Sequence, residues 1–449
     1  MTQAKTGWKW AVALFSLLLT VLIWRQGLQE SFERPSVAPK ISLMQTEMAV
    51  SAASSSIPES LKDVFLGSEP QEKLYQALNS ISAEQIEDRQ RLLLAVLEKS
   101  NEKTKIILKK DFKDKNFETV RRYVLDRDKG KYLEDFPEFN KIKLDPLLYQ
   151  ISCSSLGFND EKCINKTYNL STAIRLLSSQ LLPFLASLIG SILLIRYALI
   201  FIRKNNTQWP DIVAPPLSII DMIILISGGF VIVGEVVLPA IVIPITDLLF
   251  NNLTSPLKES LRVFIGYCSM TIGPLLIVRY QLSALVPSGI DGGWLQWKIK
   301  PIKEGILKSI SGWLMILPLV LLIGWVMNEI IGDQGGSNPL LELVLSSDEV
   351  IPLSLLLITT VFLAPVFEEF VFRGVLLPVL VSKVGKISGV LLSALIFALA
   401  HLSVGELPPL FVLGIGLGLM RLSSGRLFPC ALMHSLWNGV TFASLLLVA

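Results

Sequence analysis

Apolar residues in this chain are gathered into runs long enough to cross a bilayer, and that clustering limits the fold more than any other feature. A spanning helix needs about 20 mainly apolar residues to cover roughly 30 Å of hydrocarbon. Runs of that order lie near 8–24, 176–202, 217–250, 261–282, 312–331, 351–382, 387–403, 408–422 and 428–448. Charged residues are 18% of the 449, against about a quarter in soluble domains. The pattern predicts an all-α polytopic membrane protein with about eight to nine transmembrane helices. One stretch, 26–172, is charged and polar enough to stand apart as a mainly helical soluble domain.

The domain reading follows from these shifts. Residues 1–25 form an N-terminal signal anchor: Trp8 to Trp24 is apolar, flanked by Lys5 and Lys9 before it and Arg25 after it. The run is long for a cleaved signal peptide and is not followed at once by a small-residue cleavage site. Residues 26–172 open on a small-residue linker, Val50 to Pro58, and then show apolar residues at helical spacing among charges. Ser82-Ala-Glu-Gln85 reads as a capping box ahead of Arg91–Leu97. Cys153 and Cys163 lie here and can pair only in an oxidising compartment. Residues 173–345 read as accessory transmembrane helices and 346–449 as a catalytic core.

Within 217–250, Gly228-Gly229, Pro239 and Pro244 predict a kinked or broken helix, and Glu235 is an isolated intramembrane carboxylate. It is either functional or seated at a break beside polar groups. Loop charges suggest an orientation. With the N-terminus cytoplasmic and each run crossing once, Arg203-Lys204 and the Lys298, Lys300, Lys303, Lys308 loop face the cytoplasm. The 26–172 domain and the acidic loop with Asp333, Glu342, Asp348 and Glu349 then lie outside. A net charge of +3 gives no reason to expect nucleic acid as a partner. The bilayer is the expected one.

Chemistry concentrates in the last hundred residues. Three motifs occur in order: Glu368-Glu369-x-x-x-Arg373, Phe397-x-x-x-His401 and His434-x-x-x-Asn438. The chain has only two histidines, and both are here. A charge at bilayer depth costs about 2.5–3.5 kcal/mol on insertion scales, so such groups do not persist there by chance. Glu369 and Arg373, four residues apart, read as an ion pair that locks helix packing. Glu368 points about 100° away from Glu369 and faces a different neighbour. Counting from the turn near Lys383–Lys386 puts Glu368 and His401 at similar depth on adjacent antiparallel helices. Phe397 reads as a packing residue. An apolar setting raises the basicity of a carboxylate, imidazole can pass a proton, and Asn or His can donate to a developing oxyanion. These groups together make a peptide-hydrolysis site. A proton-coupled transporter or a membrane scaffold would use the same residue types, and Glu, His and His also suit zinc.

In this order and on late apolar helices, the motifs resemble the CAAX-processing and bacteriocin-processing (CPBP, or "Abi") family of intramembrane endopeptidases. The resemblance covers roughly 350–445. It implies that Glu368 acts as general base and His401 helps to activate water. His434 and Asn438 would stabilise the oxyanion, and Glu369 and Arg373 would support them. It implies a peptide or protein substrate in or at the membrane, of CAAX or other type. It favours a mechanism without a cofactor, with zinc as the alternative. The family's setting suggests a bacterial inner membrane or a thylakoid or plastid-type membrane.

Overall fold

The computed structural model describes residues 4–34, 36–55, 57–67, 69–126, 136–203, 209–283, 285, 289, 291–332, 335–336 and 338–449. Lys204 and Asp333, two of the charges used for orientation, lie outside them. Every regular element among the described residues is a helix. The chain divides into two compact units: Ala38–Leu181 with Val448, and Met1–Val37 with Leu182–Leu447 and Ala449.

The Ala38–Leu181 unit is a packing of short amphipathic helices. Leu74 and Leu78 lie one turn apart on Pro70–Asn79, and Leu92, Leu93 and Ala95 lie on Asp88–Leu97; all are fully buried. They share a core with Leu108, Val120, Phe139 and Leu148. Burying each such leucine stabilises by about 1.5–3 kcal/mol. Two local expectations fail. The capping box is five residues later than expected, at Glu87 and Gln90, because Asp88 starts the helix. Ser82 bonds instead to the Gln85 side chain within a turn. The supposed linker is partly helix: Val50–Ala53 close Ala38–Ala53, with Val50 and Ala52 buried. Small side chains there permit close packing rather than freedom. Cys153 and Cys163 form a disulfide.

Among the described residues, the other unit carries eight helices long and apolar enough to cross a membrane. They are Gly7–Ser31, Lys166–Arg203 (shared with the first unit), Ile219–Leu249, Leu257–Ser283, Ile302–Ile331, Val350–Val384, Leu407–Ser424 and Phe428–Val448. Helices satisfy their own backbone groups, which is what lets them sit in hydrocarbon. Polar contacts show how they run. Lys9 pairs with Asp221 at 2.9 Å, so Gly7–Ser31 and Ile219–Leu249 start at the same end. Gln281 donates to the Asp221 carbonyl, so Leu257–Ser283 finishes there. Arg426 donates to the Pro301 carbonyl, so Ile302–Ile331 and Phe428–Val448 start there too.

The predicted break in 217–250 does not occur. The helix is continuous, and its 19-residue stretch Ile224–Val242 is π-helical. Pro239 removes one backbone donor, and the wider hydrogen-bond register accommodates that loss without ending the helix. The predicted span 387–403 is also revised. Lys386–Leu399 has 14 residues, about 21 Å at 1.5 Å per residue, too short to cross. The chain then turns through His401–Gly405 instead of continuing as helix. Irregular backbone at this depth needs protein partners. Arg34 donates to the Leu402 carbonyl, the Val404 N–H to Ser31, and Gly405 to the Gly335 carbonyl.

Candidate active site

Glu368 and Glu369 sit on the α-helical turn Ala364–Glu369, with π-helical segments Ile358–Leu363 and Phe370–Leu376 on either side. Such wide turns alter the angular step along a helix and recur at functional sites. Here they leave the two carboxylates with different neighbours.

Glu369 is fully buried in protein. Its Oε1 accepts from the Arg373 guanidinium at 2.9 Å and from His434 Nδ1 at 3.0 Å. Arg373, also fully buried, donates a second bond to the Gly414 carbonyl at 3.2 Å and lies over the Phe397 ring at 4.3 Å. None of these contacts opens to a cavity. Glu369 and Arg373 form the buried ion pair that their i, i+4 spacing suggests, and Phe397 packs edge-on against Phe372, His401 and His434.

Glu368 is the other kind of carboxylate. Its Oε1 accepts from the Tyr267 hydroxyl at 2.7 Å. Its Oε2 is buried with no protein partner, 3.9 Å from His434 Nε2. Glu368 lines a cavity of about 470 Å³, together with His401, His434, Asn438 and Thr360.

Hydrogen-bond logic fixes the proton positions. The Phe397 carbonyl can only accept, and His401 Nδ1 lies 2.9 Å from it, so Nδ1 carries hydrogen and a neutral His401 keeps Nε2 as an acceptor. His434 Nδ1 likewise donates to Glu369, so His434 offers a second N–H only as an imidazolium. Asn438 Nδ2 donates one hydrogen to the Thr360 carbonyl at 2.8 Å and retains another. Among the described residues no three His, Cys, Asp or Glu are grouped to hold a metal ion.

Two residues with direct roles in this geometry were not singled out from the sequence. Tyr267 is one aromatic among many in an apolar run, and nothing local marks it. Arg421 ends an apolar run and reads as a flanking cation. In the fold it is fully buried, donating from Nε to the Arg373 carbonyl at 3.2 Å and to the Gln296 side chain at 2.6 Å.

Comparison with known families bears on this arrangement. Residues 351–440 match the type II CAAX prenyl endopeptidase Rce1-like family. The chain carries a CPBP-family domain. That domain belongs to a family of CAAX-type intramembrane proteases, and the chain around it is an integral, multi-pass membrane protein. The matched segment holds Glu368, Glu369, Arg373, His401, His434 and Asn438; Tyr267 lies outside it. Residues 38–174 match a domain of unknown function (DUF8675). No curated protein and no solved structure matches the chain.

Proposed function

We propose that this protein is an intramembrane endopeptidase that hydrolyses a peptide bond of a membrane-associated substrate with water activated by Glu368. The observation that carries this reading is the asymmetry of Glu368, which lines the cavity: one oxygen is held by Tyr267 and the other has no hydrogen-bond partner among the described residues. Glu368 takes a proton from water, with His401 Nε2 accepting the second water hydrogen. The hydroxide adds to the scissile carbonyl. The oxyanion takes the free N–H of Asn438, and an imidazolium at His434 would add a second donor. Glu368 then returns its proton to the leaving amine as the C–N bond breaks. A positioned base contributes about 10²–10⁴ and an oxyanion donor about 10²–10³ to such a rate.

The test is cleavage of a membrane-anchored peptide library by full-length protein in detergent, wild type beside Glu368→Gln, with and without chelator. Wild-type cleavage that survives chelation and falls by a factor of about 10²–10⁴ in the variant is expected. Cleavage retained by Glu368→Gln would sink the base assignment. Activity lost to chelator and restored by zinc would move the mechanism to a metal.

Positive charge in the Arg203 and Lys298–Lys308 loops supports an orientation with those ends cytoplasmic. The Ala38–Leu181 unit is then extracytoplasmic, where a Cys153–Cys163 disulfide is stable. With Cys268 and Cys430 replaced by serine, membrane-impermeant maleimide should label intact cells only after reduction. Failure to label reduced intact cells, with labelling after lysis, would reverse the orientation.

A further inference from the structure

Glu235 is the only charged residue between Asp221 and Asp247 in its span. The continuous π-helix removes the bland account of it, since no break supplies polar groups at that point. Instead, Glu235 is exposed on the wall of the cavity that holds Glu368. It accepts no hydrogen bond among the described residues, and the Arg34 guanidinium, on the same cavity wall, acts on it electrostatically. Phe230, one π-helical turn earlier, stacks at 5.9 Å on Phe367, the neighbour of Glu368. Glu235 therefore lies beyond the Glu368 level, towards the end of the bundle formed by Arg34, Leu402 and Ser403.

Arg34 donates to the Leu402 carbonyl at 2.5 Å, and Glu406 accepts from the Asn338 N–H at 3.0 Å. Around them the lining is apolar, with Trp24, Leu410 and Leu413. A carboxylate at bilayer depth without a partner is costly, and such residues mark substrate paths. An apolar wall carrying a carboxylate that accepts no hydrogen bond from the protein suits a side chain with an aliphatic stem and a cationic head.

We infer that Glu235 selects substrates carrying a lysine or arginine on the side of the scissile bond that faces Glu235. The inference rests on the protease reading but concerns residues outside the segment matched to the family.

The test uses full-length protein and membrane-anchored peptides identical except for lysine, norleucine or glutamate at each scanned position. Wild type should cleave the best lysine peptide about tenfold faster than its norleucine twin, since a bond to a charged group is worth roughly 1.5–3 kcal/mol. Glu235→Gln should erase that preference while cleaving the norleucine peptide at the wild-type rate. No lysine preference in wild type, or one that survives Glu235→Gln, overturns the inference. Binding of the same peptides by fluorescence anisotropy separates the two hypotheses. If nothing is cleaved but lysine binding depends on Glu235, the protease reading fails and the cation subsite stands; equal binding by both forms overturns it.

Discussion

In the Ala38–Leu181 unit the largest fully buried side chains are Phe139 and seven leucines; in the other unit two arginines, Arg373 and Arg421, join Phe372 and Phe397. Their surfaces are opposite as well. The first unit keeps charges at half-exposed positions, as in Arg89 with Glu47 and Asp145. The second exposes Ile192, Phe201, Ile241, Leu276 and Trp325 on helices that read as membrane spans. In water the apolar effect drives the interior, so the core is apolar and the charges are dispensable decoration worth little each. In lipid that drive is absent between helices, because acyl chains are as apolar as leucine. Specific polar contacts and close packing then decide which helices meet, and the costly groups are those with chemistry to do.

The largest effect expected from this contrast is at Arg373. Arg373→Ala leaves Glu369 buried and unpaired, which costs about 3–5 kcal/mol. All nine tryptophans lie outside residues 38–181, so their fluorescence on heating reports the membrane unit alone. Combining Glu369→Leu with Arg373→Met should restore much of the stability without restoring cleavage. If the double variant is no more stable than Arg373→Ala, the ion pair is not what Arg373 serves.

Leu93→Ala is the matching change in the Ala38–Leu181 unit, at a cost of about 2–5 kcal/mol. Faster amide exchange confined to residues 92–96 and their neighbours, with the tryptophan transition unmoved, is the expected result. A shifted tryptophan transition would mean the two units do not unfold independently.

Tyr267→Phe should be milder. It removes one hydrogen bond to Glu368 and nothing else, so kcat should fall by about tenfold or somewhat more with KM unchanged. A change in KM alone would assign Tyr267 to substrate binding instead.

Smallest is the effect of pH on Glu98. The Ser100 N–H and then the Tyr75 hydroxyl hold its carboxyl below the usual glutamate range. A depressed carboxylate stabilises the fold above its unfolded value and loses that stabilisation as pH falls through its folded value. Exchange protection in the 38–181 unit should therefore weaken as pH is lowered below the ordinary glutamate range, and Glu98→Gln should flatten that part of the profile. An identical profile in the variant would exclude Glu98 as the cause.

Much of the membrane unit was legible because its signals are local. Length and apolarity mark a span without reference to any other; most described ends fall near their expected positions, although the helices starting at Lys166 and Ile302 begin well before the expected 176 and 312. The three motifs were legible for the same reason: carboxylates, arginine and histidine stand out against an apolar background. Errors fell where a choice depends on neighbours. Nothing in 387–403 announces that helix stops at Leu399, since the turn after it holds only because Ser31, Arg34 and Gly335 bond its backbone. Pro239 looked like a breaker because a proline's cost is local, while the π-helical register that absorbs it is a property of the packed helix.

The sequence by itself determined that the chain is helical and membrane-embedded, and which few residues carry charge at depth. Only the tertiary structure decided what each charge faces. Glu368 and Glu369 are adjacent and chemically identical, yet one meets Arg373 and His434 in dry protein and the other meets Tyr267 and a cavity. Periodicity predicts that they diverge, but the partners come from helices up to a hundred residues away, and side-chain contacts at that separation are set by packing.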